Sequence, residues 1–167
     1  MIFLVILFLF FFARGKISTS HIKIHKNKVT IYNDNEEIID KHVLKEKIKD
    51  YAIGDINGDK QVELIILTGS SWRKYGKNLI IFSLEDEIKE IGRKDFTKLN
   101  PWKLAIGDID GDGKDEISIG VYKESPFHQV MAKRPFIYSF IDGDIQPKWR
   151  GSRLSRPFTD YNFSDID

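Results

Sequence analysis

One thirteen-residue phrase occurs twice in the chain. Ala52-Ile-Gly-Asp-Ile-Asn-Gly-Asp-Lys-Gln-Val-Glu-Leu64 returns as Ala105-Ile-Gly-Asp-Ile-Asp-Gly-Asp-Gly-Lys-Asp-Glu-Ile117, with eight positions identical and no gap. The beginning of a third copy, Asp160-Tyr-Asn-Phe-Ser-Asp-Ile-Asp167, lies at the C-terminus. The leading aspartates Asp55, Asp108 and Asp165 are 53 and then 57 residues apart. A period of that length is one supersecondary unit, too small to bury its own apolar faces, so neighbouring units must stack.

Between the motifs the chain reads as strands. Leu64–Thr68 is a short apolar run closed by Gly69-Ser-Ser71, and Asn78–Leu84 runs into the acidic turn Glu85-Asp-Glu87. Ile88–Gly92 and Lys103–Gly107 complete four strand-like pieces in the period. The second unit repeats the plan with Ile117–Tyr122, Pro135–Ile141, a turn at Asp142-Gly143-Asp144, and Ile145–Trp149. Upstream, Ile22–Ile24 and Val29–Tyr32 alternate as strands do. Glu36–Ile48 is read as strand plus loop, although Ile39, Val43 and Leu44 would also line one face of a short helix. Four strands per unit is the count of a propeller blade. The expected fold is therefore all-β, a partial propeller of about two and a half four-stranded blades.

The chemistry of the phrase is that of a hard cation. In Asp108–Glu116, oxygen-bearing side chains fall at positions 1, 3, 5 and 9, as Asp108, Asp110, Asp112 and Glu116, with the Lys114 carbonyl at position 7. Calcium takes six to eight oxygens at about 2.3–2.6 Å, and alternate residues of a tight loop point inward together. Gly111 and Gly113 supply the positive φ that such a curl requires. Five acidic side chains against Lys114 leave the loop at −4, which a cation would neutralise. An EF-hand is excluded, because position 12 is Ile119 or Ile66 and the chain leaves as a strand. The alternative is an ordinary turn whose aspartates cap backbone amides.

This pattern, Asp-x-Asp/Asn-x-Asp-Gly-x-x-Asp/Glu between two short apolar strands, resembles the FG-GAP or VCBS-type repeat. The resemblance covers about residues 50–167. It implies blades of an integrin-α-like β-propeller and a structural calcium ion in the acidic loops. The first copy departs from it: Asn57 stands at position 3 and Lys60 at the usual glycine. Asp55, Asn57, Asp59, the Gln61 carbonyl and Glu63 are its candidate ligands, at a loop charge of only −2, so weaker binding is expected there. The third copy, with Asp165 and Asp167 alone, cannot complete a site.

Met1–Ala13 is wholly apolar and is followed by Arg14 and Lys16. It is shorter than the ~20 residues that span a bilayer and matches a signal-peptide core, although no basic residue precedes it. Residues 1–16 are thus read as a signal peptide or uncleaved membrane anchor, with a buried strand as the alternative, and 17–167 as the repeat domain. The expected location is extracellular or at the cell surface. Cysteine is absent, which removes disulfides, thiolate sites and a cysteine nucleophile.

No catalytic constellation stands out. Ser70, Ser71, Ser152 and Ser155 lack a Gly-x-Ser-x-Gly setting, no phosphate-cradling loop is present, and His21 and His25 would lie about 13 Å apart on one strand face. With 26 basic and 25 acidic residues, net charge gives no reason to propose nucleic acid. Trp149–Phe158 and Arg134-Pro-Phe136 are basic and aromatic, either a connection between blades or a surface for sugars or anions. The expectation is a non-enzymatic binding or adhesion module for extracellular protein or glycan, touching membrane only through its N-terminus, and a fragment of a longer propeller. The alternatives are a short protein that closes its ring by oligomerising, and the accessory propeller of a polysaccharide- or lipid-active enzyme.

Overall fold

The computed structural model describes residues 21–85, 87–151 and 157–163. The N-terminal apolar segment, Asp165 and Asp167, and residues 152–156 of the basic stretch lie outside them. No helix among the described residues is long and apolar enough to cross a membrane.

The chain is all-β, in three antiparallel sheets that follow chain order. The first holds β1 (Ile22–His25), β2 (Lys28–Tyr32) and β3 (Ile38–Val43). The middle sheet holds β4 (Lys47–Gly54), β5 (Glu63–Gly69), β6 (Asn78–Ser83) and β7 (Lys89–Asp95). The last holds β8 (Pro101–Gly107), β9 (Glu116–Ser125), β10 (His128–Ile141) and β11 (Asp144–Arg150). The second and third sheets have four strands each and the first has three, but the grouping differs from the expected one: Lys103–Gly107 opens the last sheet, and β4 is the fourth strand of the middle one. The ambiguous stretch 36–48 resolves as β3 and the start of β4, with no helix.

Each strand pairs with its sequence neighbour, so every sheet is a meander. Burial on both faces explains the apolar run in β5. Ile65 and Leu67 join Leu79 and Ile81 in a core shared with Ile117, Ile119 and Val121 of the last sheet. Leu64 and Ile66 turn the other way, with Ile80 and Phe82, onto Val29 and Ile31 of the first. A strand covered on both sides cannot alternate apolar with polar residues. β9 does alternate: Ile117, Ile119 and Val121 face the middle sheet, while Ser118 and Gly120 lie between them. Each fully buried aliphatic side chain contributes about 1.5–3 kcal/mol.

The outer face of the last sheet is met by residues 157–163. The Tyr161 hydroxyl lies 2.9 Å from Ser118 Oγ, and its ring meets Trp102, Phe158 and Phe163 edge-on. A Cβ on Gly54 would lie 2.6 Å from Ile106 Cγ2, and one on Gly107 3.0 Å from Phe163 Cβ. Ile106 and Phe163 both stand two residues before a leading aspartate of the motif. Phe163 therefore approaches the last sheet as Ile106 approaches the middle one.

Two further registers match between the four-stranded sheets. Glu63 pairs with Gly54 and Glu116 with Gly107, and a bulge falls at the same step of each outer pair, inserting Ile91 in one sheet and Lys148 in the other. Because strands alternate in direction, the motif loops and the β6–β7 and β10–β11 turns share one end. The β5–β6 and β9–β10 turns share the other.

Candidate metal centre

The curl of each loop is built by its first aspartate. Asp108 Oδ1 accepts the N–H groups of Gly111 (2.7 Å) and Asp112 (3.1 Å), and Oδ2 accepts that of Gly113 (2.8 Å). These bonds, Gly113 foremost, hold the Asp108 carboxyl below its usual pKa. In the first copy Asp55 accepts from Gly58 (2.7 Å) and Lys60 (2.8 Å). Gly111 and Gly113 have φ of 75° and 84°; Gly58 has 82°. Lys60, at the position of Gly113, is forced to φ 67°, so the departure noted in the sequence is a real strain.

The ninth residue closes each loop as the first residue of a strand. Glu116 Oε2 accepts Ile109 N–H at 3.0 Å, and Glu63 Oε2 accepts Ile56 N–H at 3.1 Å. Both glutamates are buried. This placement also disposes of the EF-hand, since β5 and β9 begin where a helix would be needed.

Around Glu116 the carboxylates converge. Asp108, Asp110 and Glu116 each offer an oxygen, all within 4.8 Å of one another. Asp112, expected in the same set, instead turns Oδ1 to the Lys114 N–H at 2.9 Å. Lys148, from the β11 bulge, enters the cluster: its ammonium lies 2.5 Å from Asp110 Oδ2 and 2.6 Å from Glu116 Oε1. Hydrogen bonds to both carboxylates raise the Lys148 pKa above its usual value. A positive charge thus sits where the acidic loop needs one, as a tethered ammonium.

The first copy solves the same problem differently. Asn57 Nδ2 donates to Asp59 Oδ2 and to Glu63 Oε1, each at 3.0 Å, while its Oδ1 accepts the Asp59 N–H at 2.8 Å. Asp59 Oδ1 takes the Gln61 N–H at 2.7 Å. A neutral amide does not neutralise Glu63. Burial pushes its carboxyl up to about 7, with Asp59, Asp55 and Glu85 adding repulsion and the Ile56 N–H opposing it. Only the second copy gathers three convergent carboxylates among the described residues.

Two residues that motif spacing did not mark shape the site. Lys148 lies 32 residues beyond Glu116, and only the bulged register of β11 brings it back. Asp115, whose counterpart in the first copy is Val62, locks the two loops together. Its Oδ2 accepts Asp55 N–H at 2.9 Å, and its own N–H donates to Asp55 O at 2.8 Å. Burial, and the charges of Asp55, Asp108 and Glu116, raise the Asp115 carboxyl pKa against the pull of that amide.

The other sequence candidates fall away from this centre. Arg134 is buried and donates to the carbonyls of Lys123, His128 and Val130, so it is a structural tie and not a surface for anions. Trp149 and Arg150 belong to β11 itself. His42 packs edge-on against Phe82, and His25 is an exposed residue of β1, in line with a solvated strand face.

The triad Asp108, Asp110 and Glu116 could hold a metal ion. Its donors are oxygens and it is acidic, and a cation entering it would compete with the Lys148 ammonium for Asp110 and Glu116. No protein-family model matches the chain, and a search of curated proteins returns no match.

Proposed function

We propose that the chain is an exported, non-enzymatic binding module built on propeller-like sheets, with a calcium ion held in loop 108–116 to fix the sheets. The convergence of Asp108, Asp110 and Glu116 carries the reading. Those three would hold the ion, with Asp112 and the Lys114 carbonyl as the remaining donors of the loop. Loop 55–63 is the weaker site, because Asn57 and Lys60 take the places of a carboxylate and a glycine.

The ion would supply positive charge and coordination, no more. This chain's own residues do the rest: Asp108 shapes the loop, Glu116 ties it to β9, and Asp115 joins it to the neighbouring sheet. Binding to the folded form alone adds about 2.7 kcal/mol when calcium stands at a hundred times its dissociation constant. Extracellular calcium sites work near 10⁻⁴–10⁻³ M, so folding would be linked to calcium outside the cell.

The meanders, the shared bulge and the Phe163–Gly107 approach favour successive blades. The test is thermal: chelator lowers the melting temperature, and Asp110→Ala removes most of the calcium response. A melt indifferent to calcium would reject the proposal.

A further inference from the structure

The end of the molecule opposite the acidic loops has a different chemistry. The β5–β6 loop and the connection from β7 to β8 enclose a cleft of about 290 Å³. It is lined by Trp72, Arg73, Lys74, Tyr75, Thr97 and Asn100, with Gly76 at its base, and none of these described lining residues carries a carboxylate. Trp72 is 82% exposed. Arg73 lies over the Trp72 ring at 5.5 Å and Lys74 over the Tyr75 ring at 5.6 Å. Neither cation forms an ion pair among the described residues.

The cleft is built in advance. Tyr75 stacks on Tyr122 of β9, centroids 5.8 Å apart and 12° from parallel. Gly76 N–H donates to Pro101 O at 2.7 Å, and a Cβ on Gly76 would sit 2.6 Å from Leu67 Cγ, so the loop base is pressed onto the core. Lys49 Nζ donates to Arg73 O at 2.5 Å and Arg73 N–H to Ser70 O at 3.1 Å, fixing the loop's turn. Asn100, at φ 49°, donates to Tyr122 O at 3.1 Å, which closes the opposite wall.

We propose that this cleft binds an acidic sugar unit, carboxylate- or sulfate-bearing, of a polysaccharide. The aromatic rings offer flat apolar faces to the C–H side of a pyranose. Arg73 and Lys74 offer charge to its acidic group, with Arg73 able to make the paired contact that a planar fork allows. Thr97 and Asn100 complete the wall of the cleft. The volume is at the low end for ligand sites, which suits one ring of a longer chain. The inference rests on the binding-module reading and names its ligand class, but it does not draw on calcium.

The test is calorimetric titration of the full chain, in neutral detergent and chelator, with trigalacturonate, a heparin tetrasaccharide, maltotriose and a thymidylate oligomer. Binding of trigalacturonate or heparin, weakened by salt, is expected, and which of the two binds identifies the acidic group. Trp72→Ala and Arg73→Gln should each weaken it at least about tenfold while the melting temperature stays within a degree or two, since both side chains are exposed. Absence of binding by either acidic sugar would overturn the proposal. So would equal affinity for maltotriose, tighter binding of the thymidylate oligomer, or affinity unchanged in both variants. A parallel melt with and without calcium reports on the acidic loops separately, so failure there and failure here are told apart.

Discussion

Replacing Lys148 with Met removes the ammonium that sits between Asp110 and Glu116 while keeping most of the side chain's bulk. The Glu116 side chain is 3% exposed and holds two donors, Lys148 Nζ at 2.6 Å and Ile109 N–H at 3.0 Å. Without the ammonium one oxygen of a buried carboxylate loses its only charged donor among the described residues, a loss of about 1.5–3 kcal/mol. Asp110 is half exposed, so its contact adds little. The working figure is about 2 kcal/mol in chelator, or a fall of roughly 4–8 °C in melting temperature for a domain of this size. Calcium should reverse this. At about 10 mM, well above the range of extracellular sites, the ion supplies the missing charge and no longer competes with a tethered cation. The variant should then melt close to the parent, with the larger calcium response of the two. Differential scanning calorimetry in the two buffers reads both numbers. An equal deficit with and without calcium would refute the reasoning, since no ion would then be reaching Glu116.

Other outcomes follow from the first loop and the contact between loops. Glu63 is raised to about 7 in the folded chain, so it binds its proton more readily folded than unfolded. Its contribution is unpenalised below the unfolded value and is lost as pH rises toward about 7, amounting to at most roughly 3 kcal/mol. The parent should therefore lose stability between about pH 5 and 8 relative to Glu63→Gln in urea melts; parallel profiles would count against a buried, uncompensated carboxylate. Lys60→Gly relieves φ 67° and should stabilise the chain by about 1 kcal/mol, read as a higher urea midpoint. Asp115→Ala loses the bond to Asp55 N–H and should cost about 1–2 kcal/mol, with faster amide exchange at Asp55; unchanged exchange would contradict that contact.

Much of this architecture was legible in the sequence because its signals are local. The period-2 and continuous apolar runs, the Asp-Gly turns and the recurring phrase each report on a few adjacent residues. They locate β5, β6, β8 and β9 within a residue or two at most boundaries. The Asp-x-Asp-Gly spacing likewise implies the curl that Asp108 and Gly113 make. Features set by partners distant in sequence stayed hidden. Spacing puts Asp112 in the ligand set and does not show that one of its two oxygens is turned to the Lys114 N–H of its own loop. Lys148 reaches the cluster through a bulge in β11, and no spacing rule joins it to Glu116. β10 starts seven residues earlier than its apolar run, because Arg134 is buried through bonds to carbonyls that the sequence cannot show. A near-zero net charge also conceals how strand direction divides the groups. The motif loops and their neighbouring turns gather carboxylates at one end, and Trp72, Arg73 and Lys74 stand at the other.

The most direct test is a calcium-binding isotherm of the parent beside that of Asp110→Ala, taken by calorimetry at neutral pH. The account predicts a dominant saturable site in the 10⁻⁴–10⁻³ M range for the parent and its loss in the variant. Absence of saturable heat in the parent, or an isotherm that Asp110→Ala leaves unchanged, would contradict it.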